Sequence, residues 1–257
     1  MNSATELRLV ALPDFPQVAS GDDLAALTVD ALARCGLELR AHDVMVFAQK
    51  VISKAEGRRI DLSTVVPGSR ALEMAQAVRK DPRLVELILR ESRRVVRSAQ
   101  DVLIVEHRLG FIMANAGIDQ SNVGDPAGGD YALLLPEDPD LSAATLRERL
   151  RVLTGCAPGI VISDSFGRPW RVGTVGVAIG CAGFPATLDL RGQPDLFGRP
   201  LLVTVVGHAD EVASAASVLM GQGREALPVI LVRGLNLRSP PQPATALIRP
   251  QQQDLFR

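Results

Sequence analysis

Lysine is the scarcest charge in this 257-residue chain: Lys and Arg together number 28, yet only Lys50, Lys54 and Lys80 are lysines. Aromatic residues make up 4%, so the core has to be built from aliphatic side chains. Cysteine occurs three times, at Cys35, Cys156 and Cys181, an odd number without paired spacing. That excludes a disulfide frame and a thiolate zinc site, and leads us to expect reduced thiols in a cytoplasmic protein. No apolar run approaches the roughly 20 residues that cross a bilayer. The N-terminal stretch with Glu6, Arg8, Pro13 and Asp14 lacks the basic-then-apolar order of a signal peptide. The 28 basic residues are balanced by 29 acidic ones, for a net charge of −1, so no basic field invites nucleic acid or an anionic membrane. With 47% hydrophobic and 22% charged residues, disordered, collagen-like and coiled-coil readings fail. What remains is a soluble globular chain with room for a sizeable core.

The apolar pattern alternates between strand-like and helix-like pieces, with no internal repeat. Residues 6–12 alternate with period two and read as a strand. Ser20 with Asp23 resembles a capping box before a helix to about Cys35. Residues 44–48 form a short buried strand, and 51–60 are expected to continue extended. Pro67 opens a helix to about Arg79, and Asp81-Pro82 breaks the chain before a second helix to about Glu91. Strands are expected at 94–96, 102–106 and 131–135, and helices at 142–153 and 208–220. Residues 159–163 read as a strongly apolar strand that stops at Asp164. Glycine-punctuated strands fill 173–206, where Gly173, Gly176, Gly180 and Gly183 permit close strand contacts. The last strand covers 227–232. This mixture, without a strict βαβ beat, points to α+β or irregular α/β architecture. Residues 1–238 form one domain, with a composition change near 140 that would divide two lobes, and 239–257 form a loosely tied C-terminal tail.

Four segments could carry chemistry. In Ala114 to Val123, Asp119 is a hard-cation ligand, Asn122 offers both donor and acceptor, and Gly117 lets backbone approach a ligand. Taken alone, the segment reads as well or better as a local Asx-type turn. In Gly159 to Arg171, Asp164 and Ser165 follow a buried strand, where α/β proteins place ion and phosphate ligands. Arg168 and Arg171, three apart, can bind carboxylate or phosphate bidentately, with Trp170 as a packing anchor beside them. Here function outweighs a plain turn with a surface arginine pair. Lys50 and Lys54 would point to one face of an extended strand and could bind phosphate, although gatekeeping lysines on an edge strand look the same. Leu219 to Glu225 contains Gly221 and Gly223, most simply helix-ending glycines, with Gln222 as the alternative nucleotide or metal contact. His42, His107 and His208 show no metal-ligand spacing and read as structural. Neither a Walker-type loop nor a nucleophile elbow occurs.

As an ordered set these segments say more. Leu12-Pro13-Asp14-Phe15, Lys50 to Arg58, Lys80-Asp81-Pro82-Arg83, Ala116 to Asn122, Leu134 to Pro139, Asp164 to Arg171 and Met220-Gly221-Gln222 follow in that order. The set closely resembles the GTP-dependent γ-glutamyl ligases of the deazaflavin coenzyme F-420, from about residue 8 to 234. The resemblance implies an α/β (mixed α+β) fold of two intertwined lobes with mixed sheets, assembled as a homodimer. It implies that GTP phosphorylates the terminal carboxylate of a coenzyme precursor and that L-glutamate then attacks the acyl phosphate, releasing GDP and phosphate. By motif, Asp119 and Asp164 would hold one Mg²⁺ or Mn²⁺, and Ser165 with Gln222 a second, with K⁺ as a further cation. Leu12, Pro13, Asp14, Phe15, Gln49, Lys54 and Asn122 would contact GTP, as would Met220, Gly221, Gln222, Gly223, Arg224, Glu225, Ala226 and Leu227. Arg168 and Arg171 are our candidates for holding the transferring phosphoryl group or a substrate carboxylate.

Three departures from the family pattern stand out. Many relatives carry Ser or Thr where Gln49 stands, and many read Arg-His-Gly where this chain has Arg108-Leu109-Gly110, with His107 displaced. Some bacterial relatives extend into a flavin-binding domain, whereas this chain stops at Arg257, so the expectation is a stand-alone form without that domain's redox activity. Two other readings stand beside the ligase: a metal-dependent GTP phosphohydrolase or phosphotransferase acting on another carboxylate, and a non-catalytic nucleotide-binding dimer.

Overall fold

A strand that is apolar on both sides needs cover on both faces, and residues 44–48 and 159–163 both make that demand. In a computed structural model, which describes residues 6–124, 128–236 and 239–255, these two strands pair in parallel at the heart of the molecule. The chain runs β1 (Arg8–Ala11), α1 (Leu24–Arg34), β2 (Val44–Ala48), α2 (Gln49–Ala55), β3 (Arg59–Asp61), α3 (Ser69–Val78), α4 (Pro82–Arg90) and β4 (Ser92–Ala99). It continues through β5 (Val102–His107), β6 (Ile112–Ala114), β7 (Tyr131–Leu133), α5 (Pro139–Thr154), β8 (Gly159–Arg168), β9 (Arg171–Ala182), β10 (Leu188–Asp189), β11 (Val205–Val206), α6 (His208–Met220) and β12 (Val229–Arg233). The architecture is mixed α+β, as the sequence pattern implies. The expected boundary at Arg238 and residues 125–127 of the polar loop lie outside the described residues.

The main sheet has the order β1-β12-β2-β8-β9, and every neighbouring pair except β2–β8 is antiparallel. Alternation along the central strands sorts the core. Met45, Phe47, Ile160, Ile162 and Leu231 pack with α1 and α5 on one face, while Val44, Val46, Val161, Ile230 and Val232 pack with α6 on the other. α6 is alanine-rich because it lies close: a Cβ on Gly176 would sit 2.3 Å from the Ala213 carbonyl oxygen. Gly180 likewise admits the Pro139 carbonyl at the start of α5. These glycines of β9 therefore accommodate helices and not neighbouring strands, and Gly173 faces open space.

A second apolar cluster takes its buried members from Leu62 to Leu134, in α3, α4 and the β4-β5-β6 and β3-β7 sheets. Asp81 caps α4 ahead of Pro82, so the expected break is a helix start. A half-buried charge network ties this cluster to the remainder of the molecule. Glu91 Oε2 lies 3.1 Å from Arg58 Nη2 and 3.0 Å from Arg108 Nε, and Glu137 meets the same two arginines. Burial works against the Glu91 carboxylate, but His107, Arg108 and Arg58 outweigh it and bring its pKa down to about 2. His107 is fully buried, its Nδ1 accepting the Leu109 N–H, a structural histidine as expected.

Several local expectations need correction. Residues 49–55 form a helix, where an extended run through 51–60 was expected; Val51 and Ile52 bury into the α1–α5 core, and that packing overrides their β-branched preference. β8 does not end at Asp164 but continues to Arg168, paired with β9 beyond the covered core. Asp23, and not Ser20, caps α1, and α5 begins at Pro139, capped by Asp138. Trp170 anchors no core: it is 82% exposed at the turn between β8 and β9. The 173–206 region holds one long strand and the short β10–β11 pair. The tail is docked, not loose: Asp140 accepts from the N–H groups of Ala244, Thr245 and Cys181, and Ala244 is fully buried. Among the described residues, no helix is long and apolar enough to cross a membrane.

Candidate active site

Strand directions bring four loops to one edge of the main sheet. β1 and β2 end there, β12 begins there, and β8 passes through, so the segments after Ala11, after Ala48, around Ser163 and before Val229 converge. The C-terminal ends of a parallel pair are where open α/β sheets hold ligands. A cleft of about 510 Å³ opens at this edge, lined among others by Phe15, Gln49, Lys50, Lys54, Asn122 and Asp164. Three residues on the surrounding loops, Asp14 (φ 53°), Asn122 (φ 57°) and Ala226 (φ 54°), take the left-handed conformation that costs side-chain-bearing residues energy. Such strain concentrates at functional loops.

Two acids define the electrostatics. Asp119 follows β6 and is fixed by a two-way backbone pairing with Leu133. Its Oδ1 lies 3.4 Å from Lys50 Nζ, and its Oδ2 accepts from Gln49 Nε2 at 2.9 Å. Lys50 also reaches the Ser121 hydroxyl and carbonyl, at 3.0 and 3.2 Å. Burial, then the charge of Asp119, pushes Asp164 up to about 7, and burial also raises Asp119 against the pull of Lys50 and Gln49. Lys54 is lowered by burial and by the charges of Lys50 and Arg59. The Ser165 hydroxyl donates to Gln222 Oε1 at 2.9 Å, and Asn122 Nδ2 donates to the Gly223 carbonyl at 3.2 Å, so the 220–227 loop is tied to both acidic segments.

Two carboxylates that repel each other, beside a hydroxyl and an amide oxygen, make an all-oxygen donor set suited to a hard divalent cation. Among the described residues, no group of three or more His, Cys, Asp or Glu comes together as a metal cluster. A larger groove of about 710 Å³ lies between α1, the end of α2 and α5. Its acids are already engaged: Asp23 caps α1 and pairs with Arg149, Asp138 caps α5, and Glu56 accepts from Ser142 and from the Glu137 N–H. Its chemistry is structural, and the smaller cleft is the better site.

Residues 14–234 match the F420-0:gamma-glutamyl ligase family. The chain belongs to that family. Across the whole of both chains it is 44% identical to the coenzyme F420:L-glutamate ligase of Methanopyrus kandleri. It is 43% identical to that of Methanothermobacter thermautotrophicus, covering 98% of this chain and 99% of the relative. For the Halorubrum lacusprofundi protein of the same name the identity is 44%, over 88% and 87% of the two chains.

Within this F420-0:gamma-glutamyl ligase family member, the cleft gathers most of the residues singled out by sequence. Phe15, Gln49, Lys54, Asn122, Asp164, Ser165, Met220, Gly221, Gln222, Gly223, Arg224, Ala226 and Leu227 line it. Asp119 joins them through Gln49 and Lys50. Leu12 is fully buried in the core, and Pro13 and Asp14 are exposed on the turn that leads to Phe15. Glu225 accepts the Gly223 N–H and shapes the loop; a Cβ on Gly221 would fall 2.2 Å from the Glu225 side chain. Arg168 and Arg171 face each other across the turn from β8 to β9 and are not among the residues lining the cleft. Sequence reasoning paired Lys50 with Lys54 as a phosphate binder; in the structure Lys50 lines the cleft and also pairs with Asp119. Sequence reasoning missed Val18 and Ser163, which line the cleft, and Ser53, which reaches the site only through Gln49 and is fully buried, so nothing in the local pattern distinguishes it from core.

Proposed function

We propose that the chain is a GTP-dependent ligase that joins L-glutamate through an amide bond to the terminal carboxylate of a deazaflavin coenzyme F-420 precursor. The acceptor carboxylate attacks the γ-phosphorus of GTP, the bond to the β-phosphate oxygen breaks, and GDP leaves. The glutamate amine then attacks the acyl carbon of the acyl phosphate, losing a proton as phosphate departs. The observation that carries this reading is Asp164 in the wall of a cleft that also holds Lys50, Lys54 and Arg224, with Asp119 joined to that wall through Gln49 and Lys50. Family membership supplies the acceptor.

In this assignment Asp119 and Asp164 hold one Mg²⁺ or Mn²⁺ and Ser165 with Gln222 a second, with K⁺ as a further cation. The metal, when bound, neutralises phosphate charge during transfer. Lys54, desolvated in the cleft wall, offers its ammonium to the phosphates. Phe15 and Val18 present apolar surface to the base, the Leu12 to Phe15 turn and the Met220 to Leu227 loop enclose the nucleotide, and Asn122 presents its amide to it. Arg168 and Arg171, set on the hairpin beyond the cleft, suit an acid group of the acceptor or of glutamate better than the transferring phosphoryl. Homodimer formation is supported by Trp170, Val172, Leu196, Phe197, Leu202 and Val203, all exposed on projecting segments. A biosynthetic enzyme of this kind acts in the cytoplasm.

Mass spectrometry of a reaction with the precursor, L-glutamate, GTP and Mn²⁺ tests this. The expected result is mass increments of one glutamyl residue with GDP appearing in step. GTP turnover without a glutamyl product would replace the ligase with a phosphotransferase acting on another carboxylate, and metal-dependent GTP binding with no turnover would leave a nucleotide-binding dimer. Lys54→Met should weaken GTP binding about tenfold or more, the worth of one charge-assisted contact. Glutamate KM should change less, and unaltered GTP affinity refutes the Lys54 role.

A further inference from the structure

Gln49 has both ends of its side chain engaged within the protein. It is 1% exposed, at the first position of α2, and Ser53 one turn later is fully buried. The Ser53 hydroxyl donates to Gln49 Oε1 at 2.8 Å, and Gln49 Nε2 donates to Asp119 Oδ2 at 2.9 Å. An ionised carboxylate only accepts, so the amide nitrogen has to face Asp119 and the amide oxygen Ser53. The relay has one direction, and it fixes the orientation of the Asp119 carboxylate.

That carboxylate is held from both sides. Its backbone is pinned by the pairing with Leu133, and Oδ2 is pinned by Gln49. Among the described residues Oδ1 meets the looser Lys50 contact at 3.4 Å, an ammonium that a cation can displace. We infer that Gln49, backed by Ser53, is a positioning residue that presents Asp119 Oδ1 to the metal, so that its principal partner is the metal ligand and not the nucleotide. The inference rests on the proposed metal role of Asp119. Hydrogen bonds that orient a ligating side chain govern metal affinity by about ten- to hundredfold.

The test is Mn²⁺ titration by electron paramagnetic resonance without nucleotide, on the full chain. Thermal unfolding of each variant checks the fold. Gln49→Leu is expected to weaken Mn²⁺ binding about ten- to hundredfold and to change the bound-metal spectrum. Ser53→Ala, which leaves Gln49 in place but unbraced, should weaken it about twofold to tenfold, with no further loss when added to Gln49→Leu. If Asp119→Ala loses Mn²⁺ while Gln49→Leu and Ser53→Ala bind like the parent, the positioning role is overturned and the metal site stands. If the parent itself binds no Mn²⁺, both fall. Weakened GTP binding with unchanged Mn²⁺ affinity in Gln49→Leu would make Gln49 a nucleotide contact and refute the inference.

Discussion

Asp164→Asn removes a charge that the metal-free protein holds at a cost. Burial and the neighbouring Asp119 raise the Asp164 pKa from 3.8 to about 7. A displacement of about three units corresponds to about 4 kcal/mol at most. Water reaching the cleft reduces this, so about 2 kcal/mol is expected above pH 7. The sign follows from proton counting. Between about pH 4 and 7 the folded chain keeps a proton that the unfolded chain has lost, so this group's contribution to stability falls as pH rises through that interval. At pH 5 under half of the penalty is present; above 7 it is complete. Asparagine does not titrate. Urea unfolding in EDTA should therefore show Asp164→Asn more stable than the parent, with an advantage that grows from pH 5 to pH 8, even though the variant should be unable to ligate. A difference independent of pH, or a variant less stable at pH 8, would refute the electrostatic reading of this pair.

Glu91→Gln should act in the opposite sense. It removes a half-buried partner from Arg58 and Arg108, which keep Glu137, and costs about 1–2 kcal/mol near neutral pH after solvent screening. Because the Glu91 pKa is depressed to about 2, its contribution is present above about pH 4.5 and is lost as pH falls through 2. The gap between parent and variant, read by urea unfolding, should close with acid, and a gap that stays constant to pH 2 counts against it. Gly176→Ala would drive a Cβ to 2.3 Å from the Ala213 carbonyl oxygen and should cost about 2–3 kcal/mol in the unfolding midpoint. A loss under 1 kcal/mol would mean that α6 can move away from β9.

What was legible in the sequence was local. Residues 44–48 and 208–220 are recognisable because continuous apolar character and alanine periodicity leave one solution each, and the structure has both elements at those bounds. Residues 49–55 were not, because Val51 and Ile52 favour a strand and only their burial against α1 and α5 turns them into a helix. The continuation of β8 past Asp164 depends on pairing with β9, and the polar residues there carry no pattern that sets a register. The site was less legible still. Asp119, Asp164 and Gln222 come from three separate segments, and no spacing rule connects them; the ordered resemblance did. Gln49 and Asp119 are 70 residues apart, so the hydrogen bond between them is a product of topology alone.

The use of lysine in the cleft follows from the same electrostatics. If Asp119 takes a metal as proposed, the site has to exchange an internal counter-ion for it and needs a cation that holds Asp119 weakly. An arginine at position 50 could bind both carboxylate oxygens in a planar fork, competing with Gln49 at Oδ2 and with a metal at Oδ1. An ammonium engages one oxygen at 3.4 Å and keeps the Ser121 hydroxyl and carbonyl as alternative partners when it withdraws. Arginine does the opposite work at Glu91, where Arg58 and Arg108 join two parts of the fold and nothing has to leave. The protein thus keeps its firm charge pairs outside the lining of the cleft and a loose one within it. This division explains how a chain so poor in lysine can hold two of its three on a single seven-residue helix.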